Sequence, residues 1–190
     1  ESVSTALMEQ LKNVAERLGL ARPVQLRESL VATVPLVVGW LRPMILLPSS
    51  VISGLSVKQL EMILAHELAH IRRHDYLVNL LQSVIETLLF YHPGVWWVSH
   101  QIRKEREHCC DDLAVKVCGG DKQSYARTLA ELDDLRPNFS LAQAVSGGSL
   151  LNRIIRLADK AIPRSIDPRQ WMVGLSSILA SLFIFTVIGV

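Results

Sequence analysis

The sequence predicts an α+β domain that is mostly helical, carries a small edge β-hairpin and is followed by a transmembrane helix. The chain has 190 residues, which is enough for one domain and a short appendage. Hydrophobic residues make up 49% of it and charged residues 20%, which excludes a disordered chain. The net charge of only +2 argues against a nucleic-acid partner, and the mean hydropathy of +0.27 favours a membrane segment.

The N-terminal part combines one helix with extended segments. Apolar residues at helical spacing, followed by a glycine, predict a helix over residues 4–19. β-Branched residues and prolines then predict extended chain over residues 24–26 and 31–47. Within this region, residues 37–40 should face residues 44–47 in a hairpin. The prolines should confine both strands to the edge of a sheet.

Several helices are predicted in the remainder of the domain. Ser56 and Gln59 have the spacing of a capping box, and they mark the start of a helix that runs to about His74. The next stretch, residues 76–90, is mostly apolar and is followed by the helix breaker Pro93-Gly94. Further helices are predicted over residues 95–118, 122–135 and 150–161, and residues 136–149 have the composition of a loop.

A membrane-spanning segment is predicted at residues 171–190, which contain no charged side chain and can cross about 30 Å of hydrocarbon as a helix. We therefore expect a domain over residues 1–161, a juxtamembrane linker over residues 162–170, and a chain that is a piece of a longer membrane protein. Basic residues precede the span and place the domain in the cytoplasm by the positive-inside rule; they are Arg153, Arg156, Lys160, Arg164 and Arg169. The three cysteines cannot build a disulfide framework and fit a reducing compartment.

Residues 88–98 concentrate aromatic side chains around Pro93-Gly94, and two interpretations of this stretch are open. It packs in the core, or it forms a re-entrant or interfacial segment at the bilayer, where Trp and Tyr are favoured. Asn79 and Glu86 argue against a complete membrane span nearby.

The chemistry is concentrated in the run His66-Glu67-Leu68-Ala69-His70, an HExxH motif. Side chains four residues apart share one face of a helix, so both imidazoles can reach one ion. The glutamate between them is placed to polarise a metal-bound water. The motif therefore predicts a zinc site and a hydrolytic reaction.

A catalytic zinc site typically needs a third protein ligand, and the helix predicted over residues 95–118 is the natural donor. Glu105 and Glu107 both qualify there, and their spacing does not separate them. Glu107 and Asp111 are four residues apart, so one could bind the metal while the other orients a ligand imidazole.

Several stretches together resemble the membrane zinc metallopeptidases of the BlaR/MecR type, which are β-lactam sensor-transducers and their relatives. The most specific stretches are His66–Asp75 and Arg103–Asp112. Pro35–Pro48 and Tyr125–Leu129 are also similar to that family. The resemblance covers roughly residues 35–161, and its motifs are specific in combination.

The resemblance implies a role for each residue of the site. Glu107 aligns with the glutamate ligand of the family, so that His66, His70 and Glu107 would bind Zn²⁺. Glu67 would be the general base, and Asp111 would orient a ligand histidine. This arrangement resembles that of the gluzincins, in which the third ligand is a carboxylate on a later helix.

Other candidate residues have weaker assignments. Asp75 occupies a position of the family motif, where it either supports the site or caps the following segment. Tyr125 and His92 are candidates for stabilising an oxyanion, although a structural role is favoured for each. Cys109 and Cys110 lack the spacing of a zinc knuckle, and we expect them to be small buried residues.

The expected function is that of a membrane-anchored zinc endopeptidase that cleaves a cytosolic regulator, such as a transcriptional repressor, or its own chain in signal transduction. Its partners would be a protein or peptide substrate and the lipid bilayer, without nucleic acid. Its location would be the bacterial inner membrane, with the catalytic domain facing the cytoplasm. Two alternatives are a membrane quality-control metalloprotease and a non-catalytic transducer.

Overall fold

The computed structural model describes residues 4–135 and 150–158. The loop expected at residues 136–149, the linker at 162–170 and the transmembrane helix at 171–190 lie outside the described residues. Within the described part of the chain, no helix has both the length and the apolar character needed to cross a membrane.

The described residues form a mostly helical α+β structure, which confirms the predicted class. In chain order the elements are α1 (Thr5–Arg17), β1 (Gln25–Ser29), β2 (Leu36–Val38), β3 (Met44–Pro48), α2 (Ser49–Gly54), α3 (Val57–Arg72), α4 (Asp75–Leu88), α5 (Pro93–Val117) and α6 (Lys122–Asp134). Residues 150–158 are also helical. The short α2 was not predicted from the sequence, and α4 lies in the apolar stretch to which the sequence assigned no element.

The central element is α3, whose predicted capping box is present. Ser56 Oγ accepts from the backbone N–H of Gln59, and the Ser56 N–H donates to Oε1 of Gln59 at 2.9 Å. Apart from its exposed first turn and last residue, most of α3 is buried, because α1, α4, α5, α6 and β2 all pack against it. Residues on α3 are therefore held rigidly from several sides.

The sheet has the strand order β1-β3-β2, with β2 antiparallel and β1 parallel to β3. The predicted hairpin is confirmed, since Val37 lies opposite Ile45. The expectation that both of its strands lie at an edge is wrong for β3, which is the central strand. Pro43 precedes β3 and Pro48 is its last residue, so the N–H groups between them remain available for pairing.

Helices α4 and α5 form an antiparallel pair beyond the end of α3. His74, at φ +56°, ends α3 and lets α4 start in a new direction. Pro93 is the first residue of α5, so the Pro93-Gly94 pair begins this helix as well as separating it from α4. The apolar residues from Leu88 to Val98 are largely exposed, so the core-packing interpretation of this stretch is wrong.

Candidate metal centre

Two histidines on α3 and a glutamate on α5 bring their side chains to one point. The Nε2 atoms of His66 and His70 are 3.2 Å apart. Glu107 places Oε2 at 3.5 Å from Nε2 of His66 and Oε1 at 3.8 Å from Nε2 of His70. The structure therefore brings together the three predicted ligands, whose ligand atoms all lie within 4.8 Å of one another.

These separations fit a zinc ion. In a tetrahedral site with bonds of about 2.1 Å, neighbouring ligand atoms stand roughly 3.4 Å apart, and two imidazoles with one carboxylate are a donor set that catalytic zinc uses. The rival candidate Glu105 has a 70% exposed side chain, and its Oε1 lies 3.8 Å from Nδ1 of His108. The packing of α5 thus turns Glu107, and not Glu105, toward the histidines.

The far side of the His70 ring is held by Asp75. Oδ2 of Asp75 lies 2.7 Å from Nδ1 of His70, and Cys110 Sγ donates to the same oxygen at 3.4 Å. A carboxylate accepts from Nδ1–H, which leaves the Nε2 lone pair of His70 free for a metal. Burial alone would raise the pKa of Asp75, but the hydrogen bond and charge of His70, together with Cys110 and Arg73, outweigh it and lower the pKa. Asp75 both supports the site and begins α4, the two roles that its sequence position suggested.

The His66 ring is held in a similar way by Asp111 and Tyr125. Nδ1 of His66 lies 3.2 Å from Oδ1 of Asp111 and 3.0 Å from the Tyr125 hydroxyl. The hydroxyl donates to Asp111 at 2.9 Å. Asp111 therefore lies in a position from which it can orient the His66 ring.

The structure does not support Tyr125 and His92 as oxyanion stabilisers. Tyr125 is fully buried behind His66, where burial raises the pKa of its hydroxyl well above the usual value. His92 is the N-cap of α5, and its Nδ1 accepts from the Gly94 N–H at 3.2 Å. Both side chains are engaged in structural contacts, as favoured from the sequence.

Sequence reasoning missed Arg153 as a residue of the site. It donates to both oxygens of Asp111, from Nε at 2.9 Å and from Nη2 at 2.6 Å, and its Nη1 lies 3.3 Å from Oε2 of Glu107. In the sequence it is one basic residue among several that precede the apolar segment. The signal that could have found it is Asp111, because a buried carboxylate needs a cationic or hydrogen-bonding partner.

The charges of this cluster stabilise one another. Burial alone would lower the pKa of His66, but hydrogen bonds to Asp111 and Glu107 outweigh it and raise the pKa to about 9. Burial would raise the pKa of Glu107, but contact with His66 and the charge of Arg153 lower it to about 2. The pKa of Asp111 lies far below its usual range because His66 and Arg153 overcome its burial. Both carboxylates are therefore ionised at neutral pH.

Two cavities open at this cluster, and both are lined by Glu67, His70 and Glu107. The first, of about 250 Å³, is also lined by Val34, Pro35, Leu132, Leu150 and Arg153. The second, of about 470 Å³, is also lined by Val37, Gly39, Trp40, Tyr76 and Asn79. Glu67 is only 9% exposed, yet a molecule in either cavity can reach it.

An HExxH helix whose histidines meet a carboxylate from a second helix is an arrangement that zinc-dependent hydrolases use, and the comparison with protein families identifies the family. Residues 1–157 match the model of the family described as BlaR1 peptidase M56. The chain therefore belongs to the BlaR1 peptidase M56 family, which confirms the resemblance that the motifs indicated.

Curated relatives share about 30% sequence identity with this chain. The regulatory protein BlaR1 of Bacillus licheniformis is 30% identical over 143 residues, which cover 74% of this chain and 23% of that protein. The methicillin resistance mecR1 protein of Staphylococcus aureus (strain Mu50 / ATCC 700699) is 29% identical over 83 residues, which cover 44% of this chain and 14% of that protein. The chain thus spans less than a quarter of the length of these relatives.

Proposed function

We propose that this chain is a zinc endopeptidase of the BlaR/MecR type, in which His66, His70 and Glu107 hold the metal and Glu67 is the general base. The observation that carries this proposal is the convergence of the three ligand groups beside Glu67, at the point where two cavities meet. A zinc ion bound there would lower the pKa of a coordinated water and polarise the carbonyl of the peptide bond.

The chain's own residues then move the proton and keep the ligands in place. Glu67 accepts the proton of the attacking water and passes it to the leaving amine. Asp75 and Asp111 hold the rings of His70 and His66 through their Nδ1 atoms, so that both Nε2 atoms remain directed at one point.

The substrate of the proposed reaction is an extended segment of protein chain. Among the described residues, β2 pairs with β3 on one side only, so its other edge can accept a further strand. Val34 and Pro35, just before β2, line the first cavity, while Val37 and Gly39 line the second. A chain laid along this edge would pass Glu67 and have residues in both cavities.

We further propose that the enzyme works at the cytoplasmic face of a bacterial inner membrane and cleaves a cytosolic regulator or its own chain. The basic residues that precede the uncharged segment 171–190 support this orientation. The three cysteines are free in the structure, as expected in a reducing compartment.

A Glu67→Gln variant of the full chain tests the general base. We expect it to keep about one zinc ion per chain by elemental analysis and to lose about 10²–10⁴-fold in the cleavage of fluorescein-labelled casein, because its amide cannot accept the proton. Near-normal cleavage by this variant would refute the assigned mechanism.

A matched pair of variants tests the third ligand. Glu107→Gln should weaken zinc binding strongly, whereas Glu105→Gln, two residues away on the exposed side of α5, should leave it unchanged. Competition with a chromogenic chelator measures both. Equal zinc affinities of the two variants would place the third ligand elsewhere.

A further inference from the structure

Helix α4, residues 89–92 and the first turns of α5 together form a helical pair, which is from here on called the hairpin (residues 75–102) and is distinct from the β2–β3 hairpin. The surface of this hairpin is unusually apolar. Six of its large side chains each leave 60% to 70% of their surface exposed: Leu80, Leu81, Leu88, Phe90, Tyr91 and Trp97. An exposed apolar patch of this extent marks an interaction site.

The interior of the hairpin is polar, which inverts the usual order of a helix pair in water. Gln82, buried between the helices, donates from Nε2 to the backbone carbonyl of Ser99 at 3.1 Å. At the margin of this contact, Arg103, whose side chain is 42% exposed, pairs with Glu86 at 2.8 Å, and the buried Arg106 donates to the exposed Asn79. Polar groups that pair with one another inside while leucines face outward are expected in hydrocarbon, where no water can satisfy them.

Three polar side chains at the apolar surface find partners within the hairpin. The hydroxyls of Ser83 and Thr87 donate to backbone carbonyls four residues earlier, at 2.9 and 2.7 Å. The indole N–H of Trp96 donates to the carbonyl of Phe90 at 2.8 Å. These contacts remove the cost of taking the groups out of water.

The hairpin has few charged residues. In the sequence, Glu86 is the only Asp, Glu, Lys or Arg among residues 76–102, and it is paired with Arg103. His92 and His100 are the two histidines of this stretch. Just beyond either end of this stretch come four basic residues: Arg72, Arg73, Arg103 and Lys104. Basic residues below an apolar, aromatic tip complement a bilayer with anionic headgroups.

We propose that the hairpin inserts into one leaflet of an anionic phospholipid bilayer, with its tip at residues 88–91 in the acyl chains and its basic residues at the headgroups. The 14 residues of α4 extend about 21 Å, less than the roughly 30 Å of the hydrocarbon core, so the hairpin enters the bilayer without crossing it. Asn79 and Arg106 also line the larger cavity, which therefore lies beside the headgroups. If the proposed peptidase function is correct, substrates are cut close to the membrane surface.

A depth measurement on the full chain tests this insertion without depending on catalysis. A nitroxide label is attached to Leu88→Cys or Val57→Cys, in a background in which Cys109 and Cys118 are serine, and the protein is reconstituted in vesicles of phosphatidylglycerol and phosphatidylethanolamine. Val57 is a matched control, since it is an aliphatic helix residue that is 72% exposed, against 69% for Leu88, and lies at the opposite end of α3 from the hairpin.

We expect the label at residue 88 to collide more often with oxygen than with a water-soluble nickel chelate, and the label at residue 57 to show the reverse. Equal access to the chelate at both positions would show that the hairpin is in water and would overturn the proposal. Low access to both reagents at residue 88 would show a protein segment over the hairpin and would overturn lipid as the occupant.

Discussion

Replacing Arg153 with methionine should destabilise the domain and weaken the metal centre together. Its guanidinium makes two hydrogen bonds to Asp111, which is fully buried, and one contact to Glu107. Without Arg153, the charge of Asp111 would remain buried with the Tyr125 hydroxyl, His66 and a more distant Arg156, at 3.9 Å, as its partners. Breaking a buried pair by removing one partner costs about 3–5 kcal/mol. For a chain of this size, this corresponds to a Tm lower by about 6–20 °C.

The matched control is Arg156→Met, one helical turn further along. Arg156 pairs closely with Asp112, whose side chain is 53% exposed, and comes no nearer than 3.9 Å to Asp111, so its loss should cost only about 1 kcal/mol. Thermal unfolding of the full chain in detergent micelles, followed by near-ultraviolet circular dichroism, measures both variants. Chelator competition on the same samples should show weaker zinc binding for Arg153→Met alone, by about 10–100-fold.

A double-mutant cycle separates the loss of the pair from a general loss of packing. Asp111→Asn removes the buried charge, so adding it to Arg153→Met should cost much less than the sum of the two single changes. Additive costs would refute the reasoning, because they would mean that Arg153 does not compensate Asp111. Equal Tm values for Arg153→Met and Arg156→Met would refute it as well.

Two further predictions follow from individual contacts. Asp75→Asn keeps the shape of the residue but removes the charge beside Nδ1 of His70, so zinc affinity should fall by about 10-fold in chelator competition. An unchanged zinc affinity would contradict the role given to Asp75. Burial, reinforced by the nearby charge of Glu61, raises the pKa of the Cys118 thiol to about 11. Alkylation of Cys118 by iodoacetamide at pH 8 should therefore be about 100-fold slower in the folded chain than in urea, because the thiolate is the reactive form. The rate in the folded chain should increase as the pH rises toward 11. Mass spectrometry of the modified peptide measures that rate, and equal rates in both states would contradict the effect of burial.

Local sequence patterns were sufficient for most of the helices and for the HExxH helix. The capping box at Ser56 and the spacing of His66 and His70 depend on neighbours within a turn or two, so they can be recognised without the rest of the molecule. The choice between Glu105 and Glu107 depends on how α5 is rotated against α3. Both faces of α5 carry polar residues, so periodicity could not supply that rotation, and the family motif did.

Longer-range features of the fold and the site were not predictable from such patterns. The parallel pairing of β1 with β3, which makes β3 central, joins strands that are separated in the sequence by β2. Arg153 meets Asp111 across 42 residues, and no local rule links a basic residue on one helix to a buried acid on another. The inverted polarity of the hairpin was visible in the sequence only as an aromatic cluster with two interpretations.

The contact between Arg153 and the metal centre has a consequence for the order of events during synthesis. The HExxH helix and Glu107 leave the ribosome well before Arg153, so for part of translation the ligands are present while Asp111 lacks its cation. The candidate metal centre is therefore complete only when the helix at residues 150–158 docks. A nascent chain would hold the three candidate ligands with the buried charge of Asp111 uncompensated until that helix has emerged.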